Sequence, residues 1–589
     1  MIGRLQQMRP SHHTFLAAAL SLGSAALASH EQFLINTAAG EIGVRPLDVT
    51  TLNPSHAYSI SSNNEQWRFD RCPYENATRN LIFDTVHSLL QHWPNTRYRN
   101  GHNIVPGVIP IGTLLYHGTN GSQTIPSEPE WAALDPEHSI FFARGNGSGW
   151  HLTLAATRPL KVLYFDGSSA AKLSEGTMDM QDIIVWGEPR PERFFDESDR
   201  IQGLCKWGKE FGIDGFVRME MDFEVMLCDF TAGVEVVSFL HLPLPRDDRS
   251  FPPPASFDSK TWNRTFEVLH SGSWHNHYPG DSRIVLDLTG LISLYDTVLA
   301  PSLIPVRAGL ERCDHRVLGI SSDDISQVMR KLIEIISRPD PVGSGIDWKT
   351  LAHVIVDRYA DRLELMQHLL NFSSSDSQEL LHRAKLAQTQ LRVMLTPYIS
   401  HSTVVPSEVT SGVDASQWAS PIFRLCATTH TSGMINRIPS MTSSERLLLT
   451  AVEDTTKEIC RVTTRMWAGG VMSGLDTLFH VEHDGEHEVT RLMNDWRHEI
   501  QKLMSWLDWS VWIKCRPACG PEEMCYLPTW DGPLPTHSPP QNLPSVPKAR
   551  YFADRVGPPP ERQAFHATPE EDLKNPQPRC IRRLQPYDF

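Results

Sequence analysis

Two hydrophobic periodicities divide the chain. Between residues 100 and 245, short apolar runs alternate with turn residues: GTLLYHG, SIFFARG, LKVLYFDG, DGFVRM, FEVMLCDF and GVEVVSFLHL. Runs of this length, rich in β-branched and aromatic residues and bounded by Gly, Asp or Arg, predict strands. Ahead of them, TRNLIFDTVHSLLQHW places Leu81, Ile82, Val86, Leu89 and Leu90 at helical spacing, with Pro94 expected to end the helix. From Ser321 to about Leu507 the period becomes helical. SSDDISQVMRKLIEII opens with serines and aspartates before an apolar face at Ile325, Val328, Leu332 and Ile335/Ile336, which predicts an N-capped helix. WKTLAHVIVDRYADRLELMQHLL, SQELLHRAKLAQTQLRVML and SSERLLLTAVEDTTKEICRVTTRMW continue the pattern without a fixed-period repeat. The fold class read from this is α+β, a strand-rich first half followed by an antiparallel helical domain.

The pattern also sets expected boundaries. Residues 29–245 form the α+β module. RDDRSFPPPASFDSK, 246–260, is a linker, and 261–320 is a mixed connecting segment. Residues 321–510 form the helical domain. Residues 511–589 form a Cys-containing, Pro-rich tail, expected to be disordered or to wrap over the body in extended form. At 589 residues the chain exceeds one ordinary core.

The first residues do not read as fold. Arg4 and Arg9 precede the uncharged TFLAAALSLGSAALAS, and Ala26-Leu27-Ala28 is an A-x-A site. This is the pattern of a secretory signal peptide, residues 1–28, cut after Ala28, with an uncleaved anchor as the alternative. No later segment is long and charge-free enough to span a bilayer; LISLYDTVLAPSLIPV carries Asp296 and two prolines. Five N-x-S/T sequons, at Asn76, Asn120, Asn146, Asn263 and Asn371, agree with export. So does the even count of ten cysteines, which suits disulfides. Cys515, Cys519 and Cys525 are closely spaced; disulfides are the favoured reading and zinc the competing one, with no C-x-x-C pair and no obvious fourth ligand. With 69 acidic and 54 basic residues, the formal net charge of −15 argues against a broad nucleic-acid or anionic-membrane interface.

Three stretches carry candidate chemistry: Leu115-Tyr116-His117-Gly118-Thr119, then Ser139-Ile140-Phe141-Phe142-Ala143, then Glu224-Val225-Met226-Leu227-Cys228-Asp229, preceded by Gly212-Ile213-Asp214-Gly215. In this order they resemble the ADP-ribosyltransferase fold, in the branch of diphtheria-type toxins and poly(ADP-ribose) polymerases. The resemblance covers about residues 110–240 and implies a split β-sheet that binds NAD as a substrate. By that resemblance His117, Gly118, Thr119 and Phe141 bind NAD. His117 would hold a ribose hydroxyl, Gly118 would let the backbone approach nicotinamide, and Phe141 would stack on it. Glu224 is the catalytic carboxylate, with His117 beside it, stabilising the cation that develops as the glycosidic bond breaks. The implied function is transfer of ADP-ribose to an unidentified acceptor, possibly a protein, or to water, with no metal. Phe141 stands where the family has tyrosine, and Asp222 and Glu220 lie close enough to Glu224 for the assignment to slip. The alternative is a non-enzymatic secreted or cell-surface protein, for recognition or structure, on a degenerate scaffold of the same kind. The discriminating feature is whether His117, Phe141 and Glu224 converge.

Other patterns carry less. His480, His483 and His487 share a face if helical, which suits a solvated surface helix better than a metal site. The letters His275-Asn276-His277 lack the spread of an HNH nuclease. Asp281, Arg283 and Asp287 alternate and are expected to form a polar face or a buried ion pair. No P-loop, G-x-G-x-x-G or G-x-S-x-G is present.

Overall fold

The computed structural model describes residues 33–36, 43–46 and 67–584, apart from Glu75, Ser122, 144–147, 244–263, 339–341, 373–375, 407–415, 480–485 and 529–574. Residues 1–28 and the linker 246–260 therefore lie outside the described residues. Residues 1–66 form one unit, in which β1 (Phe33–Asn36) and β2 (Gly43–Pro46) pair antiparallel. The remaining elements belong to the second unit, residues 67–589.

That unit is built on a ten-stranded sheet. Its strands are β3 (Asn103–Ile109), β4 (Leu114–Thr119), β5 (Glu130–Ala133), β6 (Ser148–Ala156), β7 (Leu160–Phe165), β8 (Gly215–Met219), β9 (Phe223–Leu227), β10 (Val234–Pro243), β11 (Val285–Leu286) and β12 (Ile292–Ser293). The order is β10-β6-β4-β5-β9-β8-β7-β3-β11, with β12 also on β3. All pairs are antiparallel except β7 with β8. The segment 261–320 thus contributes two strands to the sheet rather than merely connecting two domains.

The helices are α1 (Arg79–Ser88), α2 (His92–Arg97), α3 (Pro136–Phe142), α4 (Asp179–Trp186), α5 (Glu197–Lys209), α6 (Arg264–Gly272), α7 (Leu303–Arg307), α8 (Ser322–Ile336), α9 (Trp348–Leu370), α10 (Ser377–Leu395), α11 (Ser420–Thr428), α12 (Ser443–Met472) and α13 (Glu486–Leu507). Pro94 does not stop the first helical run. The chain leaves α1 at Leu90, whose φ is 60°, and Pro94 then sits in the first turn of α2, where a missing N–H costs little. Polar residues start the long helices as their sequence suggests. Ser321 Oγ accepts from Asp324 N at 3.2 Å, Asp347 from Thr350 N at 3.0 Å and Asp376 from Gln378 N at 2.9 Å. Thr442 and Glu445 form a capping box on α12.

Strand alternation gives the sheet two apolar faces, each covered by helices. On one face Leu115, Leu152, Leu154, Val217, Phe223 and Val225 share a core with α1 and α9–α13. On the other, Leu163, Phe165, Phe216 and Met226 pack against α4, α5 and α8, the last through Ile325, Val328, Leu332, Ile335 and Ile336. The first core passes from sheet to helical half without a seam, so the two halves are layers of one body. Arg312 reinforces this by pairing with Asp84 of α1 at 2.7 Å, while Ser510, just past α13, donates its N–H to the same carboxylate at 3.0 Å.

Four disulfides are present: Cys205–Cys228, Cys426–Cys460, Cys515–Cys525 and Cys519–Cys580. The last two tie the antiparallel pair β13 (Glu523–Tyr526) and β14 (Arg579–Arg582) to Cys515 and Cys519, which follow α13. No helix among the described residues is long and apolar enough to cross a membrane.

Candidate functional site

His117 and Glu224 lie in the same sheet, two strands apart. Tyr116 pairs with Ala133, and Ala133 pairs with Glu224. Directly paired residues in antiparallel strands point to the same face, and neighbours along a strand to opposite faces. Tyr116 and Glu224 therefore share a face, and His117 points to the other. Its Nδ1–H donates to the Trp131 carbonyl at 2.7 Å, and its ring meets Phe230 edge-on at 5.4 Å.

Gly118 lies on the Glu224 face, and what approaches it is protein. A Cβ there would stand 1.9 Å from the Ser139 carbonyl oxygen and 3.0 Å from Ala143 N. The bare glycine lets α3 seat against β4. Thr119 Oγ1 accepts from Gly121 N at 3.2 Å and closes the local turn.

SIFFA, expected as a strand, is the second half of α3. Asp135, Pro136 and Glu137 explain the difference, since proline is pre-set for the first helical position and an acid suits the first turn. The helix turns Phe141 inward, 7% exposed, against Met221, Val268, Leu269, Tyr526 and Ile581. Its ring is a core ring.

Glu224 begins β9 as expected, and its side chain is buried. Arg218, directly opposite on β8 and fully buried, donates from Nε to Glu224 Oε1 at 2.6 Å. The same guanidinium pairs with Glu197 of α5 and donates to Gln181 Oε1 of α4 at 3.3 Å. Arg200 continues the chain of charges, reaching Glu197 at 2.6 Å and Asp182 at 3.1 Å. Burial penalises Glu197, but Arg218 and Lys172 hold its pKa down to about 2. Glu220, in the β8–β9 turn, pairs with Lys172 at 3.1 Å, yet burial pushes its pKa up to about 7. Buried His138 of α3, near Glu224 and Lys172, is shifted down by desolvation. Arg218 is the residue sequence reasoning missed; a hairpin of β8 and β9 about Glu220-Met221-Asp222 places it opposite Glu224.

Asp222 points into a separate network. Burial, then Asp135, raises its pKa well above the ordinary carboxylate value. Burial works against Asp135 as well, but hydrogen bonds from His275 and Arg283 keep it ionised and lower its pKa. Arg283 clamps Asp135 through both nitrogens, at 2.9 and 2.7 Å, and holds Asp281 at 2.7 Å, which is the ion pair expected from the 281–287 pattern. Asp287 instead accepts from Thr289 N at 3.0 Å.

Asp135, Asp222 and His275 bring potential ligand atoms within 4.8 Å of one another. The Arg283 Nη2 lies 2.7 Å from Asp135 Oδ2 and 3.1 Å from His275 Nε2, on the ground a cation would need. Like charges about 4 Å apart at an effective dielectric near 20 repel by ~4 kcal/mol, so this cluster suits a structural clamp better than a metal. Cys515, Cys519 and Cys580 also converge, but each is taken by a disulfide.

Of the sequons, Asn76, Asn120 and Asn371 are exposed. Asn146 and Asn263 lie outside the described residues, as do His480 and His483; His487 falls in the first turn of α13.

A family model described as the YPL277C N-terminal domain matches residues 59–151 and 144–263. The chain is 26% identical over 551 residues to the uncharacterized protein YOR389W of Saccharomyces cerevisiae, covering 78% of this chain and 82% of that protein. It is 28% identical over 385 residues to the uncharacterized protein YPL277C of the same yeast, covering 51% of this chain and 76% of that one. No solved structure matches the chain. The chain is thus similar to these two yeast proteins, over 78% of its length for one and 51% for the other, while the family model matches the strand-rich half.

Proposed function

We propose that this is a secretory-pathway protein with a recognition or structural role, in which the ADP-ribosyltransferase-like residues serve as scaffold. The observation that carries the reading is the strand register. It sends His117 and Glu224 to opposite faces of the sheet, so the two side chains do not line one surface together. The uses these residues already have support it further. Arg218 occupies the Glu224 carboxylate, α3 fills the space over Gly118, and Phe141 belongs to the core. Disulfides and exposed sequons favour an oxidising compartment.

Titration of the purified protein with NAD tests the first half of the proposal. No binding heat at millimolar NAD is expected, and saturable binding overturns it. N-terminal sequencing and intact mass of protein made through a eukaryotic secretory route test the second half. A chain starting at Ser29 and carrying glycan supports it; an uncut, unglycosylated chain refutes it.

A further inference from the structure

The helical half holds a groove of about 360 Å³, lined by Glu364, Gln367, His368, Phe372, Arg383, Arg516 and the sequon residue Asn371 itself. Its size falls at the lower end of ligand pockets, roughly 300–1,000 Å³. Asn371 is the C-cap of α9, and two contacts fix it. Its N–H bonds to the Gln367 carbonyl at 2.9 Å, and its Oδ1 accepts from Gln501 Nε2 at 3.2 Å. That second bond commits the amide oxygen and leaves Nδ2 without a partner among the described residues. The next residue lies under a cation: the Arg383 guanidinium stands 3.7 Å from the Phe372 ring centre. Glu364 is held at the opposite side by Lys514 at 2.7 Å.

We infer that Asn371 carries an N-linked glycan whose first sugars lie in this groove. The inference rests on the secretory-pathway reading. The chemistry of the lining fits a neutral sugar. Amide, imidazole and the Arg383 and Arg516 guanidinium groups match hydroxyl and acetamido groups, the Glu364 charge is offset by Lys514 and Arg516, and the Phe372 edge gives an apolar surface for the ring C–H groups. The sequon is Asn371-Phe372-Ser373. Attachment joins Nδ2 to the anomeric carbon of a lipid-pyrophosphate-linked oligosaccharide. The bond from that carbon to the pyrophosphate oxygen breaks, and the amide proton leaves with the pyrophosphate.

The test uses full-length protein secreted from a eukaryotic host. Glycopeptide mass spectrometry reads occupancy at Asn76, Asn120 and Asn371, and a peptide N-glycosidase is timed at each site before and after denaturation. Native release at Asn371 is expected to be slower than at Asn120 by about tenfold, a difference worth ~1.4 kcal/mol, and equal to it after denaturation. Gln367→Ala with Phe372→Ala keeps the sequon and should bring the native rate at Asn371 up to that at Asn120. Glycan at Asn76 or Asn120 with none at Asn371, or equal native rates in the wild type, overturns this inference and leaves the compartment reading standing. Absence of glycan at all three sites overturns both.

Discussion

Glu224→Gln separates a structural carboxylate from a catalytic one. The substitution keeps size and an acceptor oxygen but removes the charge. Arg218 is fully buried, and its Nε lies 2.6 Å from Glu224. Its remaining carboxylate, Glu197, is shared with Arg200. Breaking a buried pair by removing one partner costs ~3–5 kcal/mol. The hydrogen bond kept by the amide returns ~1 kcal/mol. The expected loss is therefore about 2–4 kcal/mol, a large share of a stability of ~5–15 kcal/mol. Arg218→Met combined with Glu224→Met should lose less than Glu224→Gln alone, because replacing both charges leaves none buried and unpaired. Tryptophan fluorescence during urea unfolding, with the disulfides intact, measures each variant. A Glu224→Gln protein within ~0.5 kcal/mol of wild type would refute the reasoning, since the carboxylate would then be free of Arg218.

Burial raises the Glu220 pKa from 4.5 to about 7, so between those values the native state holds a proton that the unfolded chain has released. Stability should fall as pH rises through that window, by up to ~3 kcal/mol from this group, and Glu220→Gln should flatten the slope in unfolding measured from pH 4 to 8. Cys205 and Cys228 close a 23-residue separation, so replacing both with alanine should cost ~3 kcal/mol; an unchanged urea midpoint counts against the bond. Gly118→Ala should prevent normal folding or displace α3, because the added methyl lands on the Ser139 carbonyl; a native-like circular dichroism spectrum and melting temperature would contradict that packing.

Local features were legible where one signal decided them. The five apolar positions assigned to α8 are all buried, and its serine cap is in place. LLYHGT, LKVLYF, GFVRM and FEVML are strands because each is bounded by turn residues. SIFFA was misread because a short apolar run has no period of its own; Asp135-Pro136-Glu137 ahead of it is the helix-start signal that decides. Convergence of the site was not legible. It depends on which strands pair and in which register, and one step along β4 moves a side chain from the Glu224 face to the opposite one. The expected separation at 246–260 followed a composition break, whereas the packing joins both halves through a shared core. Cysteine pairing was also beyond reach, since a chain position 61 residues away completes the Cys519 bond.

The measurement closest to the central claim is release of nicotinamide from NAD by purified, disulfide-intact protein, with Glu224→Gln and His117→Ala beside it. The account predicts no release above the protein-free rate for any of the three, with Glu224→Gln distinguished only by its lower stability. Release by the wild type that falls by on the order of 10²-fold in Glu224→Gln and drops in His117→Ala would contradict it.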